Sequence, residues 1–344
     1  MILNRLRQQN FRNLVSLELV LPPGPLALVG PNASGKTNLL EAIFLALGGE
    51  VRGALADRVR FGEAEARLFA EVETQLGVVR FEQRFGRGGR EIRLNEAPAS
   101  LRELSEYAGA VWIRPEDIAL VRGGPEERRR WLDQALVRFS PRYRALLSAY
   151  EKTLRQRNAA LKTSPRGLGV WNERLAGYGE QVLHWRRRIL ERLAPLAAEA
   201  YRELDVAPLE LELRETAAPD ELAAKLEDNL QEELERGVTL VGPHRDDVRL
   251  LLGGLDAVKF ASRGEARSVA LALRLAEHRL LAEHHGEPPL LLVDDFSAEL
   301  DARRQAALLA YASGLPQAVL SGTHAPEGWT RTLRIEAGVW NLEG

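Results

Sequence analysis

The sequence predicts an α/β chain built on a mixed sheet with a phosphate-binding loop, interrupted by an inserted antiparallel helical arm. Three observations carry this. A glycine-rich loop lies between a short apolar run and a helical stretch. A basic block over residues 126–205 has helical periodicity. Strand-like runs flank that block on both sides. The expected organisation is therefore 1–125 and 206–344 as two halves of one head, with 126–205 as the arm.

The elements follow in order. Met1–Arg7 and Leu14–Leu21 read as extended runs around Gln9-Asn10-Phe11-Arg12-Asn13. Leu26–Val29 reads as a buried strand, and Thr37–Leu47 as a helix stopped by Gly48-Gly49. Ala66–Thr74 and Val78–Phe85 alternate around Gly77 as a hairpin, with Glu91–Leu94 beyond a glycine turn. From Glu126 onward, apolar residues recur at three and four, and Ser140-Pro141 restarts the helix. Thr163 to Gly167 turns the chain, and about 35 helical residues from Val170 to Leu204 run back over roughly 50 Å. A compact helical subdomain without projection is the other form this pattern allows. Leu209–Arg214 reads as a strand, Pro219–Glu235 as a helix, and Asp247–Leu252 with Ala257–Phe260 as a hairpin. A long helix over Glu265–His284, a buried strand at Pro289–Val293, a helix at Asp301–Tyr311 and a strand at Gln317–Ser321 complete the pattern.

Composition narrows the function classes. The chain has 344 residues and no cysteine, which excludes disulfides, thiolate zinc sites and iron–sulfur ligation. No apolar run approaches ~18 residues and the N-terminus has no signal-peptide core, so a cytoplasmic protein with no membrane partner is expected. Net charge is −2, which as an average argues against nucleic acid. The distribution argues otherwise: residues 126–205 carry net +7 and residues 206–344 net −10. Of the basic residues, 42 are Arg and 5 are Lys, and one of those lysines sits in the glycine-rich loop.

That loop, Gly30-Pro31-Asn32-Ala33-Ser34-Gly35-Lys36-Thr37, matches G-x-x-x-x-G-K-[ST] at every fixed position. Its glycines let backbone N–H groups wrap phosphates, Lys36 supplies a charge, and the Thr37 hydroxyl is a hard-oxygen ligand for Mg²⁺. Leu290 to Asp295 is an apolar strand ending in two carboxylates: Asp294 would hold Mg²⁺, and Asp295 would polarise an attacking water. Ser262 and Glu265 have capping-box spacing before a long helix, whose N-terminus suits a phosphate. An acidic turn, Ser297–Asp301, follows the carboxylates, and the strand Val319–Ser321 leads to His324.

In that order, these motifs resemble the ABC ATPase superfamily. Ser262-Arg263-Gly264-Glu265 takes the place of its signature, Ser297–Asp301 of its D-loop, and His324 of its switch histidine. Within the superfamily the chain is similar to the SMC-like RecF family of recombination mediators. The resemblance rests on Asn10-Phe11-Arg12-Asn13-Leu14, Arg114-Pro115-Glu116-Asp117, Gly123-Gly124-Pro125 leading to Arg128-Arg129, and Leu240 to Asp247. It implies ATP and Mg²⁺ as cofactors. Arg12, Asn13, residues 30–37, Asn38, Ser262, Gly264, Glu265 and Asp301 would contact nucleotide. Thr37, Asp294 and Glu116 would hold the metal, with Lys36, Asp295 and His324 catalytic.

The resemblance further implies an ATP-dependent homodimer in which the signature of one copy closes on the nucleotide of the other. It implies double-stranded and gapped DNA, or single–double-strand junctions, as ligand, RecR and RecO as partners, and a weak DNA-stimulated ATPase. Arg128, Arg129, Arg130, Arg142, Arg144, Arg186, Arg187 and Arg188 are the candidate phosphate contacts. Three departures stand out. Asp295 is one methylene shorter than the usual glutamate, which implies slow hydrolysis. Arg263 makes the signature degenerate. Glu116 occupies a place where a glutamine is usual. A transporter ATPase would share the nucleotide motifs but not the basic arm or the 225 residues from Thr37 to Ser262. A nucleotide kinase would share only the loop.

Overall fold

The computed structural model describes residues 1–107, 109–163, 167–296, 300–336 and 339–343. In chain order its strands are β1 (Ile2–Phe11), β2 (Leu14–Val20), β3 (Gly24–Val29), β4 (Glu65–Thr74), β5 (Gly77–Gly86), β6 (Gly89–Leu94), β7 (Ala97–Pro98), β8 (Ala110–Ile113), β9 (Leu209–Arg214), β10 (Asp247–Leu252), β11 (Leu255–Asp256), β12 (Leu290–Val293), β13 (Gln317–Gly322), β14 (Thr332–Glu336) and β15 (Val339–Glu343). Its α-helices are α1 (Lys36–Ala46), α2 (Leu101–Tyr107), α3 (Ala119–Arg122), α4 (Pro125–Phe139), α5 (Pro141–Thr163), α6 (Leu168–Leu204), α7 (Leu222–Asp228), α8 (Leu230–Arg236), α9 (Ala257–Phe260), α10 (Arg263–His285) and α11 (Ala302–Ser313). They form two units: Met1–Asp117 with Glu277–Gly344, and Ile118–Ala276. Residues 206–276 therefore group with the helices of 126–205.

The first unit holds two six-stranded sheets. One is antiparallel, in the order β2-β1-β4-β5-β6-β7. Its alternation is the sequence's own: Ala66, Leu68, Ala70 and Val72 of β4 and Val79, Phe81 and Phe85 of β5 are buried. The other, β15-β14-β3-β13-β12-β8, is parallel except for the β14–β15 pair. Its strands β3 and β12 carry the apolar runs Leu26–Val29 and Leu290–Val293, as expected of parallel strands covered on both faces. Helix α1 shares one core with both sheets and is buried from Leu39 through Ala46. Gln83, buried on β5, donates to the carbonyls of Leu45 and Ala46 at 2.8 and 3.1 Å, satisfying the last turn of α1.

The second unit packs α5 against α6, and α6 in turn against α4, α7 and β9. At 37 residues, α6 runs about 55 Å. It buries Leu175, Val182, Ile189, Leu193, Ala200 and Leu204 along one stripe. The turn expected at 163–167 falls on residues 164–166, outside the described residues. Two expectations are corrected. Ala257–Phe260 is helical, not extended, because the Asp256 carboxylate caps it by accepting from the Val258 N–H at 3.0 Å. Residues 219–235 are not one helix. The chain breaks at Asn229, whose side-chain amide donates to the Lys225 carbonyl at 2.8 Å.

Candidate nucleotide-binding site

Strand order builds the site. β13 lies between β3 and β12, all parallel. Their carboxyl ends therefore deliver residues 30–37, Asp294 with Asp295, and Ser321 to His324 to one edge of one sheet, where open α/β sheets bind ligands. The loop bends through Ala33 (φ 63) and Gly35 (φ 106). Gly30 leaves little room for a side chain, since a Cβ there would lie 3.0 Å from the Ile335 carbonyl oxygen and 3.1 Å from the Ser34 hydroxyl. The Ser34 hydroxyl is buried beside Gly30 with no hydrogen-bond partner among the described residues.

Lys36 Nζ donates to the Gly30 and Pro31 carbonyls, both at 2.8 Å. Burial lowers its pKa, and the nearby Asp295 and Asp294 carboxylates act against that shift. Thr37 Oγ1 donates to Asp294 Oδ1 at 3.1 Å. Burial raises the Asp294 pKa; bonds from Ser321 and Thr37 oppose this, while Glu116 and Asp295 add to it. Glu116 thus lies within electrostatic reach of Asp294. Asp295 has a left-handed backbone, φ 50. The exposed His324 sets its ring edge-on to Phe296 at 5.8 Å. Asn13 and Asn38 join over Gly35 by a 2.7 Å bond, and Asn32 is exposed.

Ser262 and Glu265 form the predicted capping box, with bonds of 2.7 and 3.2 Å at the start of α10. They and Gly264 belong to the second unit. Asp301 is the N-cap of α11, accepting from the Arg304 N–H at 2.9 Å. Ser297 to Glu299 of the expected D-loop fall outside the described residues.

Sequence reasoning missed two contributors. Ser321 donates to Asp294 Oδ1 at 2.7 Å and accepts from the Asp295 N–H at 2.9 Å, so one hydroxyl orients both carboxylate residues. Its role depends on β13 lying next to β12, which no spacing reveals. Glu41, buried within α1, pairs with Arg12 and Arg58, each at 2.8 Å. A glutamate inside an otherwise apolar helix was a readable signal for such a partner.

A family model described as the RecF/RecN/SMC N terminal domain matches residues 2–317. The chain is 45% identical over 346 residues to "DNA replication and repair protein RecF" of Deinococcus deserti, covering 100% of this chain and 96% of that one. It is 44% identical to the protein of the same name from Deinococcus radiodurans, covering 98% and 94%. Among solved structures, a recombination mediator protein RecF bound to ATP, from the RecFOR pathway, superposes with a TM-score of 0.91 at 29% identity, covering 99% and 97%. An Smc head bound to a ScpA domain shares the fold, with a TM-score of 0.59 at 17% identity over 99% and 97%. The chain belongs to the RecF family.

The segment through which the RecF resemblance was most specific, Gly242 to Asp247, is an internal hub. Gly242 has φ 121, and a Cβ there would sit 2.9 Å from the Tyr150 hydroxyl. His244 Nδ1 pairs with Tyr150 Oη at 2.7 Å, and Nε2 with the Thr239 carbonyl at 3.1 Å. Asp246 Oδ1 accepts from the Thr216 N–H at 2.9 Å and hydroxyl at 3.1 Å. Arg186 donates to the Pro243 carbonyl at 2.6 Å and grips both oxygens of Asp133 at 2.9 and 2.8 Å. Asp247 receives a bidentate pair from Arg128 at 2.8 and 2.9 Å.

This corrects the list of arm arginines. Arg128 and Arg186 are buried, at 3% and 2% exposure, and their forks face carboxylates of the fold rather than solvent. Arg129 donates to the Asp246 carbonyl at 2.5 Å, Arg187 pairs with Glu215, and Arg130 pairs with Glu126. Arg144 is half-buried. Arg142 and Arg188 are exposed and form no ion pair among the described residues.

Proposed function

We propose that this RecF family member is an ATP-dependent DNA-binding protein of recombinational repair, acting as a dimer with ATP sandwiched between copies. The observation that carries this is the shared sheet edge where residues 30–37, Asp294, Asp295 and His324 lie together, while the capped signature turn occupies the other unit. The glycine-rich loop and the unsatisfied Ser34 hydroxyl suit phosphate oxygens. The oxygen donors Thr37 and Asp294, with Glu116 near, suit Mg²⁺, which would neutralise phosphate charge there. Lys36 neutralises phosphate, Asp295 orients and deprotonates water, and His324 faces the transferred group. Arg12, Asn13 and Asn38 border the nucleotide, and Asp301 fixes the start of α11.

Ser262, Gly264 and Glu265 meet the nucleotide of the partner copy. The short Asp295 side chain keeps hydrolysis slow, so that ATP holds the dimer and turnover releases it. Residues 126–205 form the arm of an ATPase head made from 1–125 and 206–344, and Arg142 and Arg188 meet DNA phosphates. Gapped duplex or single–double-strand junctions are the DNA class, and RecR and RecO the partners, as the resemblance to the RecF family implies. No helix among the described residues is long and apolar enough to cross a membrane.

The test is light scattering with and without ATP, then with gapped duplex at about 50 mM salt. ATP-dependent doubling of mass followed by DNA capture supports the reading. A constitutive monomer without DNA affinity sinks it.

A further inference from the structure

We infer that Arg122 is the positioning residue for the signature turn, and that α3 ties this turn to the base of the helical arm. The inference rests on the dimer reading above.

The Arg122 guanidinium donates to the carbonyl of Ala261, the residue immediately before Ser262. Ala261 is buried, and its own N–H closes α9 on the Ala257 carbonyl at 3.2 Å. Past it, the Ser262 N–H is taken by the Glu265 carboxylate and the Glu265 N–H by the Ser262 hydroxyl. The signature turn is therefore locked internally by its capping box, and the carbonyl that leads into it is held by Arg122. A buried carbonyl left without its donor forces local rearrangement. The residue that must move is the one that presents Ser262.

Helix α3 has four residues, too few to hold itself, so its neighbours set its place. It packs on α9. Arg128, on the arm-base helix α4, donates to the Leu120 and Gly123 carbonyls at 3.4 and 3.0 Å while clasped by Asp247. Gly123 closes α3 where a Cβ would lie 2.5 Å from the Ala119 carbonyl, so that end admits no slack. The line from α4 to Ala261 is thus made of directed hydrogen bonds at both ends of α3, from Arg128 to its carbonyls and from Arg122 to Ala261, joined by the short helix itself. A shift of the arm base is delivered to the turn that must reach the partner's nucleotide.

The experiment compares wild type, Arg122→Ala and Arg122→Lys, with melting curves as the control for folding. Three readouts are needed: binding of a fluorescent ATP analogue to dilute monomer, ATP-driven dimerisation by light scattering, and DNA-stimulated turnover. Arg122→Ala should bind the analogue within about twofold of wild type but need about tenfold more protein to dimerise, the loss of one charge-assisted bond. Its kcat should fall by about tenfold with the KM for ATP within about twofold, and Arg122→Lys should regain most of both. Should Arg122→Ala not fold, Arg122→Gln, a shorter neutral donor, carries the same comparison. Dimerisation and turnover equal to wild type overturn the inference, as does a lysine variant no better than alanine. A wild type that stays monomeric with ATP overturns the dimer reading itself, a separate result.

Discussion

The Asp295 backbone decides what its side chain can be. At φ 50 it lies in the left-handed region, which aspartate tolerates better than longer residues because its short carboxylate bonds locally. The Ser321 hydroxyl holds the Asp295 N–H at 2.9 Å and fixes this conformation. Glutamate at this position would extend toward water but strain the turn. Asp295→Glu should therefore raise ATP turnover several-fold and lower the melting point by about 2 °C, a strain near 1 kcal/mol. Steady-state ATPase assays and calorimetry test the pair of effects. Unchanged turnover with intact ATP binding would remove side-chain length as the cause of the slow hydrolysis proposed for this family member. At this scale the sequence was legible where chemistry is contiguous, as in residues 30–37, and silent where it is assembled across strands. Nothing near Ser321 marks it, because its partners arrive from β12.

The connection between Gly242 and Asp247 behaves as an element in its own right, joining α4, α5 and α6 to β10 through side chains. His244 is neutral there. Burial pushes its pKa down to about 4, with Arg245, Arg129 and Arg186 adding to the shift. The unfolded chain binds this proton near pH 6.5 and the folded one near 4, so this residue's contribution to stability is full above 6.5 and lost toward 4. His244→Gln removes the titration. The gap in stability between wild type and variant should be widest above pH 6.5 and shrink by about 3 kcal/mol toward pH 4. Denaturant melts across that range measure it, and a gap independent of pH would show that His244 titrates normally when folded. Burial raises the Asp246 pKa to about 6, which gives the opposite slope, so the effect of His244 is read from the difference between wild type and variant. The motif was readable as family-specific, but its work was not. The helices around it were legible from periodicity, whereas α9 was hidden because a four-residue helix carries no period.

Charge is a property of the whole chain, and here the count misleads in both directions. Net −2 hid a block of +7, and the block in turn overstates what faces solvent. Arg128, Arg157 and Arg186 are buried, and Arg157 is paired with the equally buried Glu233 at 2.6 Å. Such pairs contribute specificity of packing rather than a field outside the molecule. The sequence could not distinguish these arginines from Arg142 and Arg188, since pairing is decided by which helix faces which strand. Electrostatic DNA binding should accordingly rest on the exposed part of the block, to which Arg142 and Arg188 belong, and not on its full charge. Each neutralised phosphate contributes a slope of about −0.9 in log affinity against log salt. The double variant Arg142→Ala with Arg188→Ala should lower the magnitude of the slope by about two while leaving ATP binding intact. Fluorescence anisotropy between about 50 and 200 mM salt measures it. The matched control is Arg187→Ala, whose guanidinium is held by Glu215 at 2.5 Å and should change the slope little. Equal effects from both would mean that the ion pair opens on DNA, and that the resting charge map does not define the interface.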